Sequence, residues 1–432
     1  AAQTFFNKEP HELNVQEAAM LVGVVNAPTR YSPRSNPDRA LIRRNTVIDR
    51  MRAGGFLTRH QRDSIKALPI VLDYHPISHD EGTGTYFRSM LQIVMTSDRP
   101  DRKSFAPGVA GDWDYKAAVE LWDKNPLYGW CRKNTKANGA QYDLYRDGLK
   151  IYTTINATMQ KYAEKAVWAQ MGGNVQPMMD RVLKGRRSIF SNLSKEEEQA
   201  IINRAMRNSD RYRMLKKEGA TEKEIQQAFD TPVKMRVFSY KGDRDTTMTP
   251  RDSLYYYKRF LRASLMALDP SNGYVKAYVG GPSFRYFKYD MVKQGKRQIG
   301  STIKPFVYTF AIEQLGLTPC TPVPNLPVTI ETYNEPWSPR EASKVVYDGN
   351  PRPLRWGLAN SRNNYSAWIM KQARQPEAVA EFIHKFGIHS YVDPVPALCV
   401  GTSDFSLFEL VGAYGTFANR GVHIDPIFVT RI

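Results

Sequence analysis

A proline fixes where one helix of this chain must start. Pro305 follows the run Arg297-Gln298-Ile299-Gly300-Ser301-Thr302-Ile303-Lys304 and precedes Phe306. Proline is tolerated in the first helical turn and penalised beyond it, so a helix begins near Ser301 and runs through Phe306, Phe310 and Leu315 to the breaker Gly316. Ser301 and Lys304 then lie one turn apart at the positive end of the dipole. A serine hydroxyl is a poor nucleophile at neutral pH and needs a neighbour to take its proton, which a lysine can do once its ammonium is destabilised. Partial positive charge and apolar surroundings both favour the neutral amine, and the free N–H groups of that turn can bind a developing oxyanion.

The spacing alone is weak, because a chain of this length should hold about one or two Ser-x-x-Lys matches by chance. An N-cap serine followed by a solvated lysine is its plain alternative. A second motif adds weight. Sixty residues on, Asn360-Ser361-Arg362-Asn363 supplies Ser-x-Asn between two helix-like stretches, Leu354 to Ala359 and Tyr365 to Gln372. A short loop joining helices can project such groups into a cleft, although a helix cap and a loop hydrogen bond would also account for Ser361 and Asn363. Upstream, β-prone runs flank the turn Pro270-Ser271-Asn272-Gly273 and read as a hairpin.

Ser-x-x-Lys followed by Ser-x-Asn resembles the penicillin-recognising acyl-serine transferases. The segment Leu265 to Gly281 is similar to the opening hairpin of the transpeptidase domain of class A penicillin-binding proteins, and Leu407 to Arg420 to a later helix there. At the amino end, Phe5, Phe6, Lys8, Glu17 to Leu21, Ala27-Pro28, Tyr31, Pro33 and Arg43 to Ile48 resemble the tail of a family 51 peptidoglycan glycosyltransferase. Physically these are capped helices: Asn14-x-x-Glu17 opens one as a capping box, and Asn36-Pro37 opens another that stops at Gly54-Gly55. Arg39, Arg43, Arg44, Arg50 and Arg52 read equally as a solvated basic face; the resemblance implies that Arg43 and Arg44 line a substrate cleft.

The resemblance implies an α+β chain in four parts: an α-helical glycosyltransferase tail over 1–70, a linker over 71–145, an opening strand with a helical insertion over 146–260, and an incomplete β-lactamase-like transpeptidase domain, an antiparallel sheet with helices, over 261–432. The family's Glu-Asp-x-x-Phe and Lys-Thr/Ser-Gly motifs do not occur in these 432 residues. The expectation is therefore a chain cut inside both catalytic domains and inactive alone, with the hairpin near Leu265 left as a two-stranded remnant exposing an apolar edge. The implied reaction is D,D-transpeptidation. Ser301 attacks the penultimate D-alanine carbonyl of a stem peptide, Lys304 is the base, Ser361 relays a proton to the leaving amine, and Asn363 holds the substrate amide or orients Lys304. Gln298 and Gly300 shape the approach, and the Ser301 N–H supplies half of an oxyanion hole.

Implied partners are stem peptides and glycan strands, lipid II for the whole protein, and β-lactams as inhibitors. No cofactor is implied for the transpeptidase, and a divalent metal is allowed for the complete glycosyltransferase. The implied location is the extracytoplasmic, periplasmic face of the cell membrane, held by an amino-terminal helix that this sequence does not contain. Two other readings remain: a D,D-carboxypeptidase or β-lactamase in which water replaces the acceptor amine, and a non-catalytic wall-binding or β-lactam-sensing protein.

With 42% hydrophobic and 24% charged residues the chain is globular, and its net charge of +18 favours a polyanionic neighbour. Nucleic acid, anionic lipid and anionic wall polymer all qualify, but no nucleic-acid motif is present. The basic clusters Arg181 to Arg187 and Arg211 to Lys217 read as solvated helix faces, with a membrane surface or cell wall as the alternative. Cys131, Cys320 and Cys399 are scattered without metal or redox spacing. His75 and His79 flank Pro76, which breaks the helix that would align them, so they read as linker. Asp112-Trp113-Asp114 and Asn125-Pro126 suggest a turn-rich linker with some strand. Ala157 to Gln170 reads as an amphipathic helix, and two charged helices follow, opened by Ser194-x-x-Glu197 and Thr221-x-x-Glu224.

Overall fold

The computed structural model describes the chain except residues 76–79, 81, 187, 191, 334 and 342–344. His79 and Arg187 lie outside the described residues. The chain divides into two compact units, Ala1–Glu81 and Gly82–Ile432.

The first unit is helical. Asn14 accepts from Glu17 N–H at 2.9 Å while the Glu17 carboxylate returns to Asn14 N–H at 3.0 Å, so the capping box opens the helix Val15–Val25. Pro37 starts the helix Pro37–Ala53, which ends at Gly54. These two helices cross closely at Gly23, where an added Cβ would come within 3.1 Å of the Arg43 side chain. A third helix, Arg59–Ala67, is capped by Thr58, and the chain then returns to the amino end, with Asp73 and His75 N–H donating to Phe5 and Thr4 carbonyls.

The stretch 71–145 reads as a linker with some strand, but its part in the second unit, from Gly82 on, contains helices over Thr85–Thr96, Val109–Lys124 and Trp130–Lys133. The first buries Tyr86, Phe87, Met90, Leu91 and Val94, an i, i+3, i+4 pattern that outweighs its neighbouring turn formers. Asp112 and Asp114 sit within the second, where Asp112 occupies the first turn and suits the positive end of the dipole. The helix Ala157–Gln170 and both later capping boxes form as expected. Between the boxed helices Lys195–Arg207 and Glu222–Asp230, the helical face expected over Arg211 to Lys217 forms a separate helix, Asp210–Lys217, capped by Ser209.

Strands Leu265–Asp269 and Tyr274–Val279 pair antiparallel as a two-stranded sheet. Ala277 and Val279 pack on the helix Ala157–Gln170, whereas Tyr278 and Met266 pack with Thr85–Thr96 and Phe428. The outer edge of the second strand is partly engaged: Val275 N–H donates to Ile427 O and Asn156 N–H to Lys276 O. The largest core surrounds the helix Lys304–Gln314, whose Phe306, Val307, Phe310 and Ala311 meet Tyr365, Phe382, Ile383 and Leu398. Among the described residues no helix is long and apolar enough to cross a membrane.

Candidate active site

The nucleophile candidate is held by two segments that approach without side chains. Strand Lys296–Gln298 pairs with Asp404–Ser406, placing Gln298 opposite Asp404, and the ladder continues as Ile299 N–H to Ser403 O and Gly300 N–H to Gly401 O. Gly300 has φ +54, and a Cβ on Gly401 would stand 2.0 Å from the Gly300 carbonyl oxygen. Glycine at 401 is therefore required for the approach. The chain then makes a 3-10 turn, Gly300–Ile303, and enters the helix Lys304–Gln314 with Pro305 in its first turn. Ser301 is exposed, while Lys304, three residues on, is buried. Tyr414 ties the turn down by donating to Thr302 O at 2.8 Å.

The second motif arrives by close helix packing. Helices Leu354–Ala359 and Asn363–Ala373 touch at Gly357, where a Cβ would fall 2.3 Å from the Tyr365 ring. The turn between them puts Ser361 at φ +50, a left-handed conformation uncommon outside glycine and concentrated at functional sites. Ser361 Oγ donates to Ser301 Oγ at 3.1 Å. Lys304 Nζ donates to Ser361 O at 2.5 Å, to Asn363 Oδ1 at 2.7 Å and to Ser361 Oγ at 3.1 Å.

An ammonium has three N–H donors, and these three acceptors use them all. Lys304 thus reaches Ser301 through the Ser361 hydroxyl. Burial lowers the Lys304 pKa to about 8, against the opposing pull of Glu341. Among the described residues no carboxylate forms an ion pair with the amine, so neutral Lys304 keeps two donors for Ser361 O and Asn363 Oδ1 and gains a lone pair for the Ser361 proton. Asn363 also donates through Nδ2 to Arg340 O at 2.6 Å, which fixes the orientation of its amide.

Three groups at this site escaped sequence reasoning. Glu341 accepts from Asn363 N–H at 3.2 Å and Asn364 N–H at 3.0 Å, placing a carboxylate at the start of the second helix. Cys399, fully buried with its thiol pushed up to about 12 by desolvation, interacts electrostatically with Lys304. Gly401 is the third. A lone glutamate in a polar stretch, a lone cysteine and a glycine carry no spacing signal that would single them out.

In the first unit, Arg44 is buried and fully engaged. Its guanidinium donates to Gln16 Oε1, Asn45 Oδ1, Leu68 O and Lys66 O at 2.8 to 3.2 Å. Arg43 lies half-buried over the Tyr31 ring, 5.6 Å from its centroid, with its Nε unpartnered. Glu17, beside them in the sequence pattern, pairs with Lys8 at 2.8 Å. Among the described residues no group of three or more His, Cys, Asp or Glu is arranged to hold a metal ion.

An exposed serine hydroxyl is thus joined to a buried, easily neutralised lysine through a second hydroxyl. Comparison with known proteins gives the following. Residues 263–432 match the family described as Penicillin binding protein transpeptidase domain, 185–261 the Penicillin-binding protein middle domain, and 1–52 the Transglycosylase family. The whole chain aligns with Penicillin-binding protein 1A of Pseudomonas aeruginosa at 26% identity and of Escherichia coli at 27%, covering 50% and 49% of those proteins. A crystal structure of Penicillin-Binding Protein 1A from Haemophilus influenzae matches 99% of this chain and 59% of its own at a TM-score of 0.58 and 22% identity. The chain is thus similar along its whole length to proteins named Penicillin-binding protein 1A, with transglycosylase, middle-domain and transpeptidase matches in that order. It spans about half the length of the curated relatives it matches.

Proposed function

We propose that Ser301 is the acylated nucleophile of a D,D-transpeptidase that cross-links peptidoglycan stem peptides. The observation that carries this reading is the hydrogen-bonded path from Ser301 Oγ through Ser361 Oγ to Lys304 Nζ. With Lys304 neutral, Ser301 Oγ bonds to the penultimate D-alanine carbonyl carbon as its proton passes to Ser361 and the Ser361 proton passes to Lys304. The tetrahedral species collapses, the C–N bond breaks, and the terminal D-alanine leaves as an amine after taking a proton back along the same path. An amine of a second stem peptide then attacks the ester, and Ser301 regains its proton. Ser301 N–H, in the first turn where amides lack intrahelical partners, suits the oxyanion. Gln298 and Gly300 border that approach. Side chains alone suffice for this route, so no cofactor is invoked.

The reading extends to a glycan-polymerising partner domain acting on lipid II at the extracytoplasmic face of the membrane, supported by the transglycosylase match over 1–52. There Arg43, part-exposed over the Tyr31 ring, is the group suited to meet an anionic substrate, and Arg44 serves by holding the helices around it. The transpeptidase assignment is tested on the full-length protein, with the complete transpeptidase domain, by intact mass after exposure to benzylpenicillin, where the lactam ring opens onto the nucleophile. One adduct at Ser301, absent in Ser301→Ala, is expected; an adduct that persists in Ser301→Ala overturns it.

A further inference from the structure

Helix Ala157–Gln170 does not end before the next one begins. It passes through a π-helical turn, Met171–Val175, into the helix Gln176–Leu183. Such turns are rare and frequently mark functional sites. Gly172 within it allows the turn of a second hairpin, formed by strands Val233–Val237 and Arg244–Met248, to close in, since a Cβ there would come 2.9 Å from Tyr240 Cβ. The π turn, the hairpin turn and the end of helix Pro250–Lys258 together enclose a pocket of about 410 Å³, within the size range of small-ligand sites.

The walls are aromatic and the charges are positive. Tyr240 and Tyr256 tie their hydroxyls back to main-chain oxygens of Leu261 and Phe238, leaving their rings as fixed apolar surface, and Phe260 stacks edge-on against Phe238 behind them. Lys241, Arg244 and Arg259 line the same pocket, with Arg244 over the Tyr256 ring at 5.4 Å. Other arginines of this region are paired: Arg236 with Asp245, Arg251 with Asp230, Arg285 with Asp243. Among the described residues no carboxylate forms an ion pair with Lys241, Arg244 or Arg259. Asp180, the acid in the lining, is held by Gln176 at 3.0 Å, and the nearly buried Gln176 also takes Leu261 N–H and reaches Arg259 O, fixing the backbone that carries Arg259.

We propose that this pocket is a second binding site for carboxylate-bearing wall glycopeptide. Planar guanidinium forks match carboxylates, and rigid rings match the C–H faces of sugars. The assignment rests on the wall-polymer reading above, yet it concerns a site lined by residues 172–260 with no group of the Ser301 relay in it. The test is calorimetric titration with purified disaccharide-tetrapeptide at low salt. Binding is expected to weaken at least tenfold in an Arg244→Ala, Arg259→Ala double variant, because each charge-assisted bond is worth about that much, and to be unchanged in Ser301→Ala. Equal binding by the double variant, no binding at millimolar ligand, or equal binding of the neutral N-acetylglucosamine tetramer would each overturn the proposal. Binding of phosphatidylglycerol vesicles that is lost in the double variant, with no glycopeptide binding, would assign the pocket to anionic lipid instead. Benzylpenicillin adduct formation reports on Ser301 alone, so either proposal can fail without the other.

Discussion

Lys304 and Arg44 are both cations from sequence motifs, and each is 1% exposed, yet their surroundings make opposite use of burial. Arg44 is ringed by main-chain and amide oxygens that accept from all parts of its fork, and although desolvation lowers its pKa, a guanidinium stays charged at any working pH. It is a fixed charge that joins helix Pro37–Ala53 to the ends of its neighbours. Lys304 is ringed by a carbonyl, a hydroxyl and an amide, each of which remains satisfied when the amine loses a proton. The same desolvation there yields a group that titrates at about 8. What separates a structural buried cation from a chemical one is therefore whether its partners tolerate neutrality.

The sharpest attack on that distinction is removal of the amine. Lys304→Ala is expected to slow acylation by benzylpenicillin about a hundredfold to ten-thousandfold, the usual range for a general base, measured by stopped-flow or timed mass spectrometry. Arg44→Ala should leave that rate unchanged. Its effect should be on folding: truncation strips partners from the Leu68 and Lys66 carbonyls, so the first unit should lose about 3 kcal/mol in urea unfolding. An Arg44→Ala protein of unaltered stability would break the comparison.

A somewhat smaller effect separates the two by pH. The folded pKa of Lys304 lies below its unfolded value of 10.5, at about 8. Between those values the unfolded chain holds the extra proton, so raising pH favours the folded state. The penalty for burying the ammonium is complete below about pH 8 and gone above about 10.5. Lys304→Met should therefore be more stable than the wild type at pH 7, by about 2–3 kcal/mol, and the advantage should vanish as pH rises through that window. Over the same range wild-type acylation should increase to a plateau above about pH 8, while unfolding of Arg44→Met relative to wild type should show no matching step.

The same contrast explains what could be read from the chain. Ser301, Lys304, Ser361 and Asn363 are legible because their spacing within each motif is set by a helical turn or a short loop, so local geometry survives in the sequence. Helix starts at Asn14, Ser194 and Thr221 are legible for the same reason, since a capping box spans four residues. What was not legible depends on distant partners. That Lys304 reaches Ser301 through Ser361 requires 57 residues of intervening fold. The helix Thr85–Thr96 was obscured by turn formers on either side, although Tyr86, Phe87, Met90, Leu91 and Val94 carry its period. Arg44 looks like Arg43 in sequence, and only the oxygens of Leu68 and Lys66 separate their roles.

The smallest effect probes how the charge around Lys304 is balanced. Glu341 caps the helix Asn363–Ala373 by accepting two of its first N–H groups, and its charge opposes the desolvation that lowers the Lys304 pKa. Arg362, 3.8 Å from the same carboxylate, acts in the other direction. Glu341→Gln keeps an acceptor at the helix start but removes the charge. Stability should fall by only about 0.3–1 kcal/mol, the typical value of an anion at a helix N-terminus. The amine, freed of the attraction that favoured its protonated form, should titrate lower, so the acid limb of the acylation profile should move to lower pH with its plateau rate preserved. A limb displaced to higher pH would mean that Glu341 acts on Lys304 through the position of Asn363, and the geometry of the amide would then outweigh the charge.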